Sequence, residues 1–250
     1  MTQRGPFLFL ILLLIAAGIG TAAYRHQVMR VPLLPGVQQA VWEIEARISY
    51  DAPDGPSQVL LTLPPDQDGF RSVSETGASS GFGFEIEEGR SQRRAHWTKR
   101  DASGEQTLFY KLRFVEDPGY SVVQQSPARF SQPVWDEPYQ TAAEQILELA
   151  TPISADQRTL AQQLIKTMHL TPVSQNVSLL RERYNSPQLL ERLLLTADVP
   201  ARTVEVLELE DGRRRQSLHT YVQVWDGERW YLFNPATGPV VEGDHLLLWN

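Results

Sequence analysis

The sequence predicts an α+β protein with an apolar helix at its N-terminus. An uncharged run at residues 7–23, strand-like alternation over residues 41–115, and helical periodicity followed by strand pairs after residue 141 predict this class. A chain of 250 residues has room for one large domain or two small ones, each with its own core. We expect a membrane anchor with its flanks at 1–30, a β-rich domain at 31–116, a connector at 117–140 and a second domain at 141–250.

Composition excludes several classes of protein and of site. The chain contains no cysteine, so it has no disulfide, no zinc–thiolate site and no thiol nucleophile. With 23 basic and 30 acidic side chains and a net charge of −7, its composition argues against a nucleic-acid partner. The basic cluster at residues 213–215 is interpreted as part of a hairpin loop. No pattern indicates a metal or a cofactor, so neither is expected.

The apolar run at residues 7–23 has the length of a helix that just spans a hydrocarbon core. It also fits the hydrophobic region of a secretory signal, with small residues where a signal peptidase reads the chain. A helix buried in a soluble core is a third interpretation, which the absence of a polar face disfavours. We favour an uncleaved anchor. Arg4 precedes the run whereas Arg25 and Arg30 follow it, so the positive charges do not themselves favour export of the domains.

The region from residue 41 to residue 115 has the period-two alternation of half-buried strands. Short strands at this spacing predict a small antiparallel β-sandwich-like domain. His96 is interpreted as a packing or surface residue, because a lone histidine in such a strand is seldom a ligand. Further strands are predicted at 58–63, 82–86, 94–98 and 107–115, and turn clusters at 51–55, 77–81 and 101–104 are predicted to separate the strands. The buried side of the first strand is predicted to hold Trp42, Ile44, Ala46, Ile48 and Tyr50.

Helical periodicity begins after the proline-rich connector at residues 117–140. One predicted helix starts at Ser154, because Gln157 follows three residues later as in a capping box. The Asp-Gly pairs at residues 211–212 and 226–227 are strong hairpin signals. The predicted helices are 142–150, 154–170 and 187–197, and the predicted strands are 203–209, 216–225 and 230–234.

Three stretches of this second region resemble the signatures of transglutaminase-like proteins. Residues 193–202 (LLLTADVPAR) resemble a helix that runs into the GIPAR signature. Residues 218–225 (LHTYVQVW) resemble the HAWVEV strand, and residues 230–238 (WYLFNPATG) resemble the strand that ends in DPT. In the active, papain-like fold a cysteine at the start of the helix is the nucleophile, a histidine on the first strand is the base, and an aspartate or asparagine on the second orients it. The resemblance places His219 at the base position and Asn234 at the orienting position.

The nucleophile of that arrangement is missing. Counting back from Arg202 by the length of a helix places the family's cysteine near residues 183–186, which read Arg-Tyr-Asn-Ser. Ser186 with His219 as its base is an alternative, but a serine hydroxyl is a weaker nucleophile than a thiolate and must lose its proton in the transition state. We therefore expect a degenerate papain/transglutaminase-like α+β domain in which His219 and Asn234 remain packed and hydrogen-bonded without catalysis.

The chain as a whole resembles the inactive transglutaminase-like membrane proteins of bacteria. The resemblance rests on short motifs at residues 31–36 (VPLLPG), 41–47 (VWEIEAR) and 209–216 (LEDGRRRQ). It extends from residue 31 to residue 249. It implies an N-terminal anchor, a β-rich segment, the degenerate domain and seven further transmembrane helices, in association with peptide-ligase-like and aspartic-protease-like proteins. Because this sequence ends at Asn250, we expect a shortened member or a fragment of a longer one.

Three hypotheses of function follow. The favoured one is a single-pass pseudoenzyme of the bacterial inner membrane, with periplasmic domains, that binds a peptide or a partner protein through the former substrate groove around His219, Tyr221, Trp230 and Asn234. The second is a serine hydrolase or acyl transferase, which requires Ser186 within hydrogen-bond reach of His219 and Asn234 as the orienting residue. The third is a structural spacer of a membrane complex, for which we expect no polar-lined pocket at the His219 strand.

Overall fold

The computed structural model describes residues 4–29, 41–89, 92–124, 127, 130–240, 243 and 245–249. The chain divides into two compact units, Met1–Ala40 and Val41–Asn250. Helix α1 (Arg4–Met29) covers the predicted anchor at residues 7–23, and the described side chains from residue 9 to residue 21 are all exposed. Within the described part of the chain, no helix is long and apolar enough to cross a membrane.

The second unit begins with an antiparallel sheet, the first sheet, whose central strand is β4. β4 pairs with β1 on one side and with both β2 and β3 on the other. The predicted alternation of β1 is confirmed, because every second side chain from Trp42 to Tyr50 packs against the core while the residues between them are exposed. β2 has no counterpart among the predicted strands. The bounds are β1 (Val41–Thr62), β2 (Phe70–Ala78), β3 (Gly83–Glu88) and β4 (Arg93–Glu116).

Two of the predicted turns do not end strands. The clusters at 51–55 and 101–104 lie opposite each other inside β1 and β4, with Gly55 facing Ala102 and the register shifting on either side of that pair. Gly55 has a φ of +127°, which a glycine adopts without the clash of a Cβ atom. Residues typical of turns therefore form an irregularity within a continuing ladder, and two long strands pair where four short ones were predicted. The cluster at 77–81 does connect β2 to β3, as predicted.

A helical layer follows the connector. Its second helix buries Leu160, Leu164 and Met168 on one face. The predicted start at Ser154 is wrong: Asp156 is the N-cap, and its carboxylate accepts a hydrogen bond from Thr159 N at 2.7 Å. The helices are α2 (Tyr139–Ala150), α3 (Gln157–Met168), α4 (Gln175–Arg181) and α5 (Ser186–Thr196), of which α4 is absent from the predicted set.

The chain ends in a second sheet, ordered β8-β7-β6-β5-β9 and antiparallel throughout. The hairpin predicted at residues 226–227 is confirmed, because it connects β6 to β7 with Trp225 opposite Trp230. Residues 213–215 lie in the loop between the antiparallel pair β5 and β6, as interpreted. The strands are β5 (Ala201–Glu208), β6 (His219–Trp225), β7 (Trp230–Asn234), β8 (Gly238–Pro239) and β9 (His245–Trp249). The helices pack on the face that carries Val222, Val224 and Phe233.

The predicted sandwich within the β-rich region needs a correction. Its described strands form one sheet, and the core of that sheet is completed by Leu207 of β5 and by Leu246 and Leu248 of β9. The alternation of a strand identifies its buried face but not the element that covers it, and here that element belongs to a distant part of the chain. The predicted domain limits at residues 116–117 and 140–141 stay predictions.

The helical core yields a prediction about stability. Leu193 of α5 is fully buried, whereas Leu149 of α2 is 71% exposed. We expect Leu193→Ala to lower the free energy of unfolding by about 2–5 kcal/mol, because it leaves a cavity among packed leucines. Leu149→Ala is the matched control and is expected to change that free energy by less than about 0.5 kcal/mol. Urea unfolding of both variants checks this, and equal losses would contradict the described core.

Candidate functional site

His219 is the first residue of β6, and its side chain is 49% exposed. Side chains alternate along a strand, so His219 and Tyr221 point to the face opposite Val222 and Val224. The latter two pack against the helical layer, while Tyr221 packs with Val204 and residues of the opposite face. The predicted base position is therefore on the side of the second sheet that faces away from the helices.

Tyr221 joins two other polar side chains across the second sheet. Asn234 Nδ2 donates a hydrogen bond to the Tyr221 hydroxyl at 3.0 Å. The same hydroxyl donates to Glu208 Oε1 at 2.8 Å, and His219 Nε2 lies 4.0 Å from that carboxylate oxygen. The structure thus brings three of the predicted site residues together. The sequence analysis did not predict Glu208 as a site residue, because no local pattern marks it. Its proximity to Tyr221 and His219 depends on the pairing of β5 with β6.

The environment of Tyr221 keeps its phenol protonated. Burial, followed by the hydrogen bond to the Glu208 carboxylate, raises the pKa of Tyr221 to about 12. The phenol is therefore a donor to Glu208 and an acceptor from Asn234 at neutral pH. Asn234 in turn uses Oδ1 to accept a hydrogen bond from Ala236 N at 2.8 Å.

Trp230 lies far along the sheet from this cluster. It pairs with Trp225, six positions from His219 on β6, which corresponds to about 20 Å at roughly 3.3 Å per residue. Its ring packs edge-on against Trp225 at 5.4 Å, and the Arg202 guanidinium lies 4.3 Å from its centroid. The predicted groove that combined Trp230 with His219 is not assembled as one compact site.

Ser186 lies in the helical layer, as the first residue of α5. Among the described residues, no hydrogen bond joins its hydroxyl to His219, whose ring faces the other side of the sheet. Asn185 caps the helix by accepting a hydrogen bond from Gln188 N at 3.0 Å. Nearby, Arg183 Nη1 lies 3.0 Å from Asp136 Oδ2, and its guanidinium lies 5.3 Å from the ring centroid of Tyr139. The geometry that a serine nucleophile requires is therefore not formed here.

A cavity of about 350 Å³ opens beside His219. It lies where the loop at residues 209–218 connects β5 to β6. The cavity is polar, and it touches both His219 and the Glu208 carboxylate that binds Tyr221. Its lining residues are Glu208, Arg213, Arg215, Gln216, Ser217 and His219.

A second polar group surrounds His96 on the first sheet. His96 Nδ1 lies 2.7 Å from Glu87 Oε1 and 3.3 Å from Glu85 Oε1, a set of atoms that a metal ion can in principle bridge. However, His96 Nε2 is buried without a hydrogen-bond partner. Metal ligation through Nδ1 would leave the proton on that buried nitrogen, whereas the second ring nitrogen of a metal-ligating histidine normally donates a hydrogen bond to an acceptor. The donor set therefore does not fit a metal site.

Comparisons with known proteins agree with this fold. At a TM-score of 0.54 and 11% identity, the chain resembles a candidate cysteine protease from Cytophaga hutchinsonii, covering 85% of this chain and 81% of that protein. A candidate protease from Parabacteroides distasonis matches at 11% identity with a TM-score of 0.24, covering 82% of this chain and 48% of its own, and we draw nothing from that match. No curated protein sequence matches this one.

A family match identifies the chain by sequence. The family described as inactive transglutaminase fused to 7 transmembrane helices matches residues 24–184, which is more than half of the chain. The match includes the first sheet and helices α2 to α4, while the Cytophaga structure shares the fold over most of the chain. The chain belongs to the family of inactive transglutaminases that are fused to seven transmembrane helices.

Proposed function

We propose that this protein is a membrane-anchored pseudoenzyme that binds a peptide or a partner protein at the surface around His219, Tyr221 and Asn234. One observation carries the proposal. The hydrogen-bonded chain from Asn234 through Tyr221 to Glu208 holds one wall of an open polar cavity in which His219 is half exposed. Binding sites are concave, and a small number of fixed polar groups in them set the orientation of the ligand.

Binding is favoured over catalysis by the absence of a nucleophile. The chain has no cysteine, and Ser186 belongs to the helical layer while His219 faces away from it. The family is described as inactive. The shared fold with a protein described as a cysteine protease supports a peptide as the class of ligand. A role in peptide ligation or processing systems is part of the same proposal.

The anchor and the location of the protein are also part of the proposal. The uncharged run at residues 7–23 and the exposed apolar side chains of α1 support insertion in a membrane. The family's fusion to transmembrane helices supports the same location. We place the second unit in the periplasm of a bacterial inner membrane, because an apolar run at residues 7–23 that acts as an anchor or as a signal exports the chain that follows it.

Peptide selection tests the binding site directly. We expect peptides selected from a random displayed library on the detergent-solubilised full chain to bind more weakly to His219→Ala and to Asn234→Ala, by about tenfold, the effect of losing one contact that anchors the peptide. Glu148→Ala, at an exposed position of α2, is the matched control and is expected to bind like the parent. Peptides that bind all four proteins equally, or a selection that yields none, would favour the spacer hypothesis.

Membrane extraction tests the anchor. We expect the parent to stay in the membrane fraction after alkaline carbonate extraction, and the double variant Leu13→Arg, Ile15→Arg to be released. Each arginine at the centre of a spanning helix costs about 2.5–3.5 kcal/mol of insertion free energy. Leu149→Arg, Ile153→Arg adds the same charge at exposed apolar positions of the second unit and is expected to stay in the membrane. Release of the parent itself would contradict the anchor.

The pH dependence of stability tests the Tyr221 network. Because the pKa of Tyr221 is raised to about 12 from an unfolded value of about 10, its contribution to stability is complete below about pH 10 and is lost as the pH rises toward the folded pKa. We expect the free energy of unfolding of the parent to exceed that of Tyr221→Phe by a constant amount near about pH 8, and by less near about pH 11. Urea unfolding at both pH values measures the gap, and a gap that does not change would show that the hydroxyl is not held as described.

A further inference from the structure

We infer that the cavity beside His219 binds an anionic group, namely the carboxylate of an acidic peptide. The inference rests on the proposed function, because it names the chemistry by which a peptide would be recognised there. The cavity of about 350 Å³ is formed by the end of β5, the loop at residues 209–218 and the start of β6. That volume corresponds to about a dozen water molecules at roughly 30 Å³ each, enough for a carboxylate and the side chain that carries it.

Hydrogen-bond donors predominate in this cavity. Arg213 and Arg215 supply guanidinium N–H groups, and Ser217 supplies a hydroxyl. Its carboxylate, on Glu208, already accepts a hydrogen bond from the Tyr221 hydroxyl at 2.8 Å. A guanidinium presents parallel N–H donors that match the two oxygens of a carboxylate. The cavity therefore offers cationic donors to a ligand while its own acidic group is engaged with the sheet.

Arg215 is the cation best placed to receive a ligand. Arg213 is paired with Glu210 at 2.6 Å, whereas no carboxylate in the described part of the chain lies within 4.0 Å of the Arg215 guanidinium. Arg215 also has a φ of +59°, in the left-handed region that residues other than glycine seldom occupy. Backbone conformations of this kind concentrate at binding and active sites. Within the described residues, the loop thus holds a guanidinium without a carboxylate partner at the cavity, in an unusual backbone conformation.

The charge of the loop is opposite to the charge of the chain. Three successive arginines stand at residues 213–215 in a protein with a net charge of −7. A local cluster of one sign attracts ligands of the other sign even when the whole molecule repels them. An acidic peptide would therefore be directed to this loop, next to His219.

The test is a titration of the full chain in detergent, with histidine labelled by ¹⁵N. The probes are N-acetylglutamate N-methylamide, its neutral glutamine analogue, and inorganic phosphate. The ring signal of His219, identified by its loss in His219→Gln, reports binding. We expect a saturable shift with the glutamate probe, half-maximal at about 10 mM or less as befits one weak anchor, and no shift with the glutamine probe.

Two matched variants decide whether the cavity is responsible. Arg215→Gln is expected to raise the half-maximal concentration of the glutamate probe about tenfold, the effect of losing one charge-assisted pair. Arg214→Gln removes the same charge from the adjacent residue, which does not line the cavity, and is expected to change that concentration by less than about twofold. Equal effects of the two variants, or no saturable shift with the glutamate probe, would overturn the inference.

The phosphate probe and the peptide selection separate the remaining outcomes. A shift with phosphate but none with the glutamate probe would make the cavity a phosphate site, and the inference of an acidic peptide would be wrong. Selected peptides whose affinity is unchanged by Arg215→Gln and by replacing their acids with amides would also overturn it, while leaving the proposed function in place. A saturable glutamate site without any selected peptide would overturn the proposed function instead.

Discussion

The alternation of strand β6 is the constraint on which the architecture of the candidate site depends. Val222 and Val224 are fully buried against the helices. Tyr221 precedes them on the strand and points to the face of the sheet away from the helices. One strand therefore closes the helical core and presents the polar network. Its register with β7 is tied to the hairpin at Trp225 and Trp230, and a slip of one residue would exchange the two faces and place the valines where the network lies.

Because β6 has its helical core on one face and His219 on the other, the start of α5, where the family's cysteine would lie, does not meet His219. In the active fold that the chain resembles, the helix start and the histidine must meet. Here α5 packs on the valine face, and the residues around its start make contacts of their own: Asn185 caps the helix and Arg183 pairs with Asp136 of the connector. The cap stabilises the first turn of α5, and the ion pair links Arg183, which precedes the helix in sequence, to the connector. The helix start has a structural role that needs no partner across the sheet.

Local patterns in the sequence predicted local features well, and they failed where distant segments meet. The alternation of β1 and the hairpin at residues 226–227 depend on neighbouring residues, and both are confirmed. The covering of the first sheet by β9, and the contact of Glu208 with Tyr221, depend on pairings between segments far apart in sequence. The family signatures placed His219 and Asn234 on adjacent strands. The predicted groove overlooked that the hairpin at residues 226–227 sets Trp230 opposite Trp225, about 20 Å from His219 at roughly 3.3 Å per residue.

Packing explains Asn234 and Tyr221 more fully than it explains His219. A buried polar group without a partner costs about 1–3 kcal/mol, and in the network each member satisfies another, so the fold itself stabilises Asn234 and Tyr221. His219 is 49% exposed and lies 4.0 Å from the Glu208 carboxylate, a distance too long for a hydrogen bond. The fold therefore does not require an imidazole at this position. The network holds this part of the sheet in place, and in the proposed function His219 and the Arg215 guanidinium, which pairs with no carboxylate among the described residues, are the groups that contact a ligand.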